Sequence, residues 1–295
     1  MSDLMHMTLN TTGFFIQGNC SDPAYKNIRD HPAYHEARQF IDLMWNKYKP
    51  LADSNFRTDA KNHFQERFWE MYLAVSLAEK GLNLFRAGGE GPEFYFERGG
   101  KRVWVEAITP GPGTGSDHVP ELQLGVVNAV PTEKILLRFT HALVTKQEKY
   151  LKALAKGIVS ENDAYLLAIN SREIRHTLLE STMPSFIKAF LPIGSLAVAI
   201  DPNTRNVVES SYQYRGHIEK LSGENVSTRA FLDSEFAFCS AVLHSSADCL
   251  NRPTEFGGDF CVLHNPVATY QIDQIVFSGS RQFSVQDNEL IESRV

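Results

Sequence analysis

The sequence offers no run of roughly 18 apolar residues, the least that a helix needs to cross a bilayer, so a membrane-spanning helix is not expected. Its start, Met1 to Asn10, lacks a basic region followed by an apolar run, which disfavours export by a secretory signal and leaves the cytoplasm as the expected compartment. Cysteine is scarce: Cys20, Cys239, Cys249 and Cys261 form no C-x-x-C pair, so a structural zinc module is not expected and the thiols read as small, reduced apolar side chains. His31 and His35 share a helical spacing without an H-E-x-x-H frame. No G-x-S-x-G nucleophile frame occurs, and the glycines between Gly111 and Gly115 lack the Lys-Ser/Thr ending of a nucleotide-binding loop. That loop is expected to form a rim beside Glu106.

The 295 residues, 43% hydrophobic and 22% charged, suit one large core or two modest ones, since single domains run to roughly 100–200 residues. A net charge of −6 argues against a chain coated with phosphate-binding lysines, but affinity for nucleic acid depends on local surfaces. Between Glu133 and Lys156 the basic residues Lys134, Arg138, Lys146, Lys149, Lys152 and Lys156 outnumber Glu133 and Glu148. This segment is the expected phosphate-facing surface.

Residues 1–60 read as an N-terminal helical extension, with Pro32 to Lys47 its clearest helix. From Lys61 to Lys80 a stretch free of Gly and Pro predicts a helix closed by Gly81. Leu82 to Arg86 predicts a short strand, and Glu93 to Glu97 with Arg102 to Ile108, joined by Arg98, Gly99, Gly100 and Lys101, predicts a hairpin. Pro131 opens a helix running to about Lys156, and the apolar run Ala164 to Asn170 predicts a strand buried on both faces. The order over residues 61–170 is therefore αβββαβ, an α/β core. In residues 171–295 a helical patch to about Phe190 and strands at Ser195–Ile200, Phe236–His244 and Asp259–His264 are expected to extend the same sheet or pack on it, as one composite domain.

Glu66 and Glu70 fall on one face of the 61–80 helix, in line with Leu73 and Leu77, while Phe64, Phe68, Met71 and Val75 make a second apolar side. A carboxylate on so buried a helix needs a partner, and a metal ion is one such partner. Glu93 opens one hairpin strand and Glu106 follows Val103-Trp104-Val105 on the next, so the hairpin brings them close. Three such acids could gather around a hard cation, Mg²⁺ or Mn²⁺.

The segments FWEMYL, GPEF and VWVEA, in this order, resemble the PD-(D/E)xK nuclease-like (restriction-endonuclease-like) superfamily over about a third of the chain. The resemblance implies a mixed sheet, a metal held by Glu70, Glu93 and Glu106 with Glu66 in reserve for the helix acid, and hydrolysis of nucleic acid, DNA before RNA. The sequence departs from the family pattern twice: the second-strand acid is Glu93 where Asp is usual, and Ile108 stands where a lysine is expected. Some members carry that lysine on a neighbouring element. Lys134 is the first choice here, with Arg138 and Lys146 as substrate-binding cations.

A catalytically silent module that binds nucleic acid or a protein is the competing expectation, since Ile108 removes the ammonium that would stabilise developing charge. An interaction or structural protein is the third. Oligomeric state stays open, a homodimer included.

Overall fold

A computed structural model describes residues 13–86, 88, 91–123, 125–127, 129–180 and 183–294. In chain order come helices α1 (Pro23–Asp30), α2 (His35–Tyr48), α3 (Phe56–Asp59) and α4 (Phe64–Glu79), strands β1 (Phe85–Arg86), β2 (Phe94–Arg98) and β3 (Lys101–Ile108), helix α5 (Thr132–Ala155) and strand β4 (Ala164–Asn170). Helix α6 (Ser185–Phe190) follows, then β5 (Ile193–Ile200), β6 (Val207–Tyr214), β7 (His217–Glu219), β8 (Asn225–Ser227), β9 (Ala241–Ser245), β10 (Cys261–His264), β11 (Arg281–Gln286) and β12 (Glu289–Arg294). No helix among the described residues is long and apolar enough to cross a membrane.

An eight-stranded mixed sheet in the order β1-β2-β3-β4-β9-β10-β11-β12 runs through the protein. Strands β1 to β3 form an antiparallel meander, and β4 then lies parallel to β3, as a helical crossover through α5 permits. The β2–β3 turn is the pair Gly99-Gly100, at φ +59° and +76°, the left-handed backbone that a two-residue hairpin loop demands. Helix α4 ends where Gly81 turns left-handed at φ +84°.

Alternation along the strands sorts the core into two sides. Val103, Val105, Leu166 and Ala168 join the cluster containing α2 and α4, where Trp69 donates from Nε1 to the Ala168 carbonyl at 3.1 Å. Leu167 and Ile169 pack with Ile135, Phe139 and Leu143 of α5, and Trp104 packs with Tyr150 and Tyr165. Glu106, one step out of phase with Val105 and Ala107, therefore faces α5. Burial explains the breadth of the apolar pattern on α4: from Phe68 to Leu77 every residue is buried, Glu70 included.

Several expectations shift. The first strand shrinks to Phe85–Arg86 because β2 offers it only two partners, Tyr95 and Phe94. The helical patch after Ser171 divides into a short 3₁₀ turn, Arg175–Leu179, and α6. The strand expected at Ser195–Ile200 lies outside the large sheet: β5 pairs with β6 in a two-stranded ribbon whose outer strand is exposed throughout. The strand expected from Phe236 starts at Ala241, since Asn265 Nδ2 binds the carbonyls of Phe236 and Cys239 at 3.0 and 2.8 Å and holds that segment out of the ladder. Cys239, Cys249 and Cys261 are buried and Cys20 is partly so.

Candidate active site

Hairpin register places the two strand acids side by side. Phe94 lies opposite Val105, so one further step along the ladder sets Glu93 across from Glu106, where side chains share a face roughly 5 Å apart. The Glu93 amide still donates to the Val105 carbonyl at 3.1 Å, which fixes its backbone as the strand begins. Burial, then the charge of Glu106 and then that of Glu70 push the Glu93 carboxyl up to about 7, although Lys149 and Lys146 pull the other way.

Glu106 is fully buried and is met from α5 by two ammonium groups. Lys146 Nζ binds Glu106 Oε1 directly, Lys149 Nζ reaches the same oxygen at 2.8 Å, and Lys149 also lies 3.7 Å from Glu93. Tyr165 Oη donates to Glu106 Oε2 at 3.5 Å, and burial followed by the Glu106 charge raises its phenol well above the ordinary range. Lys146 and Lys149 sit three apart on α5, the helical spacing that aims both at one spot.

Glu70 comes from α4, on the other side of the sheet. Tyr48 Oη donates to its Oε1, Arg67 Nη1 to its Oε2 at 2.6 Å, and Arg86 Nη1 lies 3.8 Å away. Burial, and after it the Glu70 charge, raise the Tyr48 phenol far above its ordinary value, so it stays a donor. The two sides meet where β3 ends. A cavity of 240 Å³ is lined there by Glu66, Arg67, Trp69, Glu70, Glu93, Ala107, Ile108, Thr109 and Lys146. The helix acid, the hairpin acid and one α5 ammonium thus line the same space, with Glu106 buried directly behind Lys146. Glu66 reaches the rim and is mostly exposed, 3.9 Å from His63.

The remaining expected residues lie elsewhere. Lys134, in the first turn of α5, donates to the Ser116 carbonyl at 2.9 Å, while Lys146 is twelve residues further, about 18 Å along the helix axis. The cation beside Glu106 is Lys146, and Lys134 is engaged by the loop. Arg138 packs against Gly113, where any side chain would collide with the guanidinium, and lines a separate cavity of 590 Å³ with Thr114, Asp117 and His141. The Gly111–Gly115 loop therefore borders Arg138, away from the rim expected beside Glu106. Lys149, expected from sequence only as part of a phosphate-facing surface, completes the site together with Arg67, Arg86, Tyr48 and Tyr165, which the sequence did not single out. Arg67 and Lys149 had a signal, each standing three residues from a partner already in view.

Among the described residues no three or more His, Cys, Asp or Glu side chains are grouped to hold a metal ion. Glu70 in particular spends both oxygens on Tyr48 and Arg67. Of the two strand acids, Glu93 lines the cavity, whereas Glu106 spends Oε1 on Lys146 and Lys149 and Oε2 on Tyr165, so a hard dication held by the pair would have to displace those ammonium groups from Glu106. Mg²⁺ commonly binds one or two carboxylates and keeps its waters, so two acids suffice in principle.

No family model, curated protein or solved structure matches the chain.

Proposed function

We propose that this chain is a divalent-metal-dependent phosphodiester hydrolase acting on nucleic acid, with DNA the first substrate to test. The observation that carries the reading is the apposition of Glu93, Glu106 and Lys146: two acids in mutual repulsion beside an ammonium supplied by a neighbouring helix. The order α4-β1-β2-β3-α5-β4, with an antiparallel meander followed by a parallel strand, also accommodates the resemblance to PD-(D/E)xK nucleases. Glu93 and Glu106 would hold Mg²⁺ or Mn²⁺, which supplies charge to polarise a phosphoryl oxygen and to acidify water. Lys146 offers the positive charge that the family pattern places at position 108, and it stabilises negative charge developing on the phosphate. Glu70 orders Arg67 at the cavity wall and acts through it.

A second reading, a silent nucleic-acid-binding module, draws on the saturation of Glu70 and Glu106 by their ion pairs and on the missing three-acid group. Incubation of the purified protein with single- and double-stranded DNA and RNA, with and without Mg²⁺ or Mn²⁺, separates the two. Metal-dependent cleavage lost in Glu106→Gln supports hydrolysis; binding without cleavage by any nucleic acid form selects the module.

A further inference from the structure

Behind the acid cavity, and sharing Arg67 and Glu93 with it, lies a second hollow of 370 Å³ lined by Asp53, Arg67, Arg86, Gly91, Glu93, Lys149, Lys152, Ala153 and Lys156. Its chemistry is opposite to that of its neighbour. Five cations from three separate elements face two acids, and Ala153 is the sole lining side chain that is apolar. Lys149, Lys152 and the C-terminal cap residue Lys156 repeat at three and four residues, so they stripe one side of α5 and its end. Facing them, the guanidinium of Arg86 is held at the Leu51 carbonyl (2.6 Å) and at Asp53 (3.0 Å), and that of Arg67 is held between Glu70 and Asp59. The two arginines are thereby fixed in place before any ligand arrives, which lowers the entropy lost on binding. Gly91 on the rim presents backbone without a side chain, which permits close approach.

We propose that this hollow is a phosphate subsite for the nucleic-acid strand, set next to the carboxylate pair so that one phosphate rests among Arg67, Arg86, Lys152 and Lys156 while another lies at Glu93 and Glu106. This rests on the hydrolase reading for its neighbour but is tested apart from it. An uncharged ligand gains nothing from such a lining, whereas a polyanion gains through charge-assisted contacts to the N–H groups the two arginines have left and through release of counterions by the lysines. The phosphate is either internal to the strand or a terminal monoester, and the two are separable.

Lys152 on α5 and Lys156 just past its end are exposed, so exchanging both for glutamine leaves the core intact. Fluorescence anisotropy of labelled oligonucleotides, in EDTA and from 50 to 200 mM salt, is the measurement. For Lys152→Gln/Lys156→Gln the slope of log affinity against log salt becomes shallower by about 2, with roughly tenfold weaker binding at the low-salt end. If the phosphate is terminal, removing the 5′- or 3′-phosphate from the oligonucleotide reproduces the loss in the wild type and changes nothing in the variant. If it is internal, phosphorylated and unphosphorylated strands lose affinity equally. A variant that melts like the wild type and binds every strand with unchanged affinity and slope overturns the subsite, even if the wild type cleaves. Binding that weakens as described in a protein that never cleaves keeps the subsite and removes the hydrolase. A wild type that binds no nucleic acid overturns both.

Discussion

Replacing Glu93 by glutamine removes a charge that the fold resists. In the unfolded chain the carboxyl ionises near the ordinary 4.5, whereas in the folded protein it holds its proton up to about 7. Between those values the folded state binds more protons than the unfolded one, so the group's stabilising contribution is complete below about pH 4.5 and is lost as pH rises through about 7. The difference is worth roughly 3 kcal/mol. Glu93→Gln keeps the shape and abolishes the ionisation. Urea unfolding in EDTA at pH 4 and pH 8 should therefore show the variant close to wild type in acid and more stable by up to about 3 kcal/mol at pH 8. His244, buried and lowered to about 4, works in the opposite sense, losing stability as pH falls below its ordinary 6.5. It is present in both proteins, so the comparison cancels it. Mn²⁺ should narrow the gap by stabilising the wild type alone. An equal stability difference at both pH values, or a variant weaker at pH 8, would refute the raised ionisation of Glu93.

Lys146→Met should destabilise by about 1–2 kcal/mol, since Lys149 still neutralises Glu106, whereas Lys146→Met/Lys149→Met leaves a buried carboxylate alone and should cost about 3–5 kcal/mol. Denaturant midpoints for the single and double variants check this, and additivity of two small effects would count against a shared carboxylate. Tyr48→Phe removes a hydrogen bond to a buried ion and should cost about 1.5–3 kcal/mol by the same assay. Gly100→Ala puts a side chain on a left-handed turn residue with open space around it, so about 1 kcal/mol is expected, all of it from the backbone. Lys134→Ala, distant from the carboxylates, should leave any metal-dependent cleavage within about twofold of wild type, while Lys146→Ala should lower it by about a hundredfold or more if its ammonium faces the developing charge.

The parts of the fold legible in the sequence are those with local signals. Ala164–Asn170 is apolar throughout because both faces are covered, Gly99-Gly100 fixes a hairpin by backbone geometry, and α4 and α5 lack interior Gly and Pro. The hairpin signal also made Glu93 and Glu106 readable as neighbours, and the pairing of Arg98 with Lys101 then fixes their register. What the sequence left ambiguous is set by distant contacts. Helical spacing lists the cations of α5, but only the docking of α5 across β3 decides that its fourth turn, and not its first, lies over Glu106. The late strands pair over long separations, and the ribbon of β5 and β6 leaves the sheet although its alternating residues look like any other strand. Tyr48, the last residue of α2, reaches Glu70 through the packing of two helices, which no spacing within either one reveals.

Titration calorimetry of Mn²⁺ into the protein at pH 8, where Glu93 is ionised, tests most directly whether the paired strand acids form a divalent-cation site. Saturable binding in the wild type that disappears in Glu93→Gln, with both proteins folded by circular dichroism, is the predicted result. No binding by the wild type, or equal binding by Glu93→Gln, would contradict it.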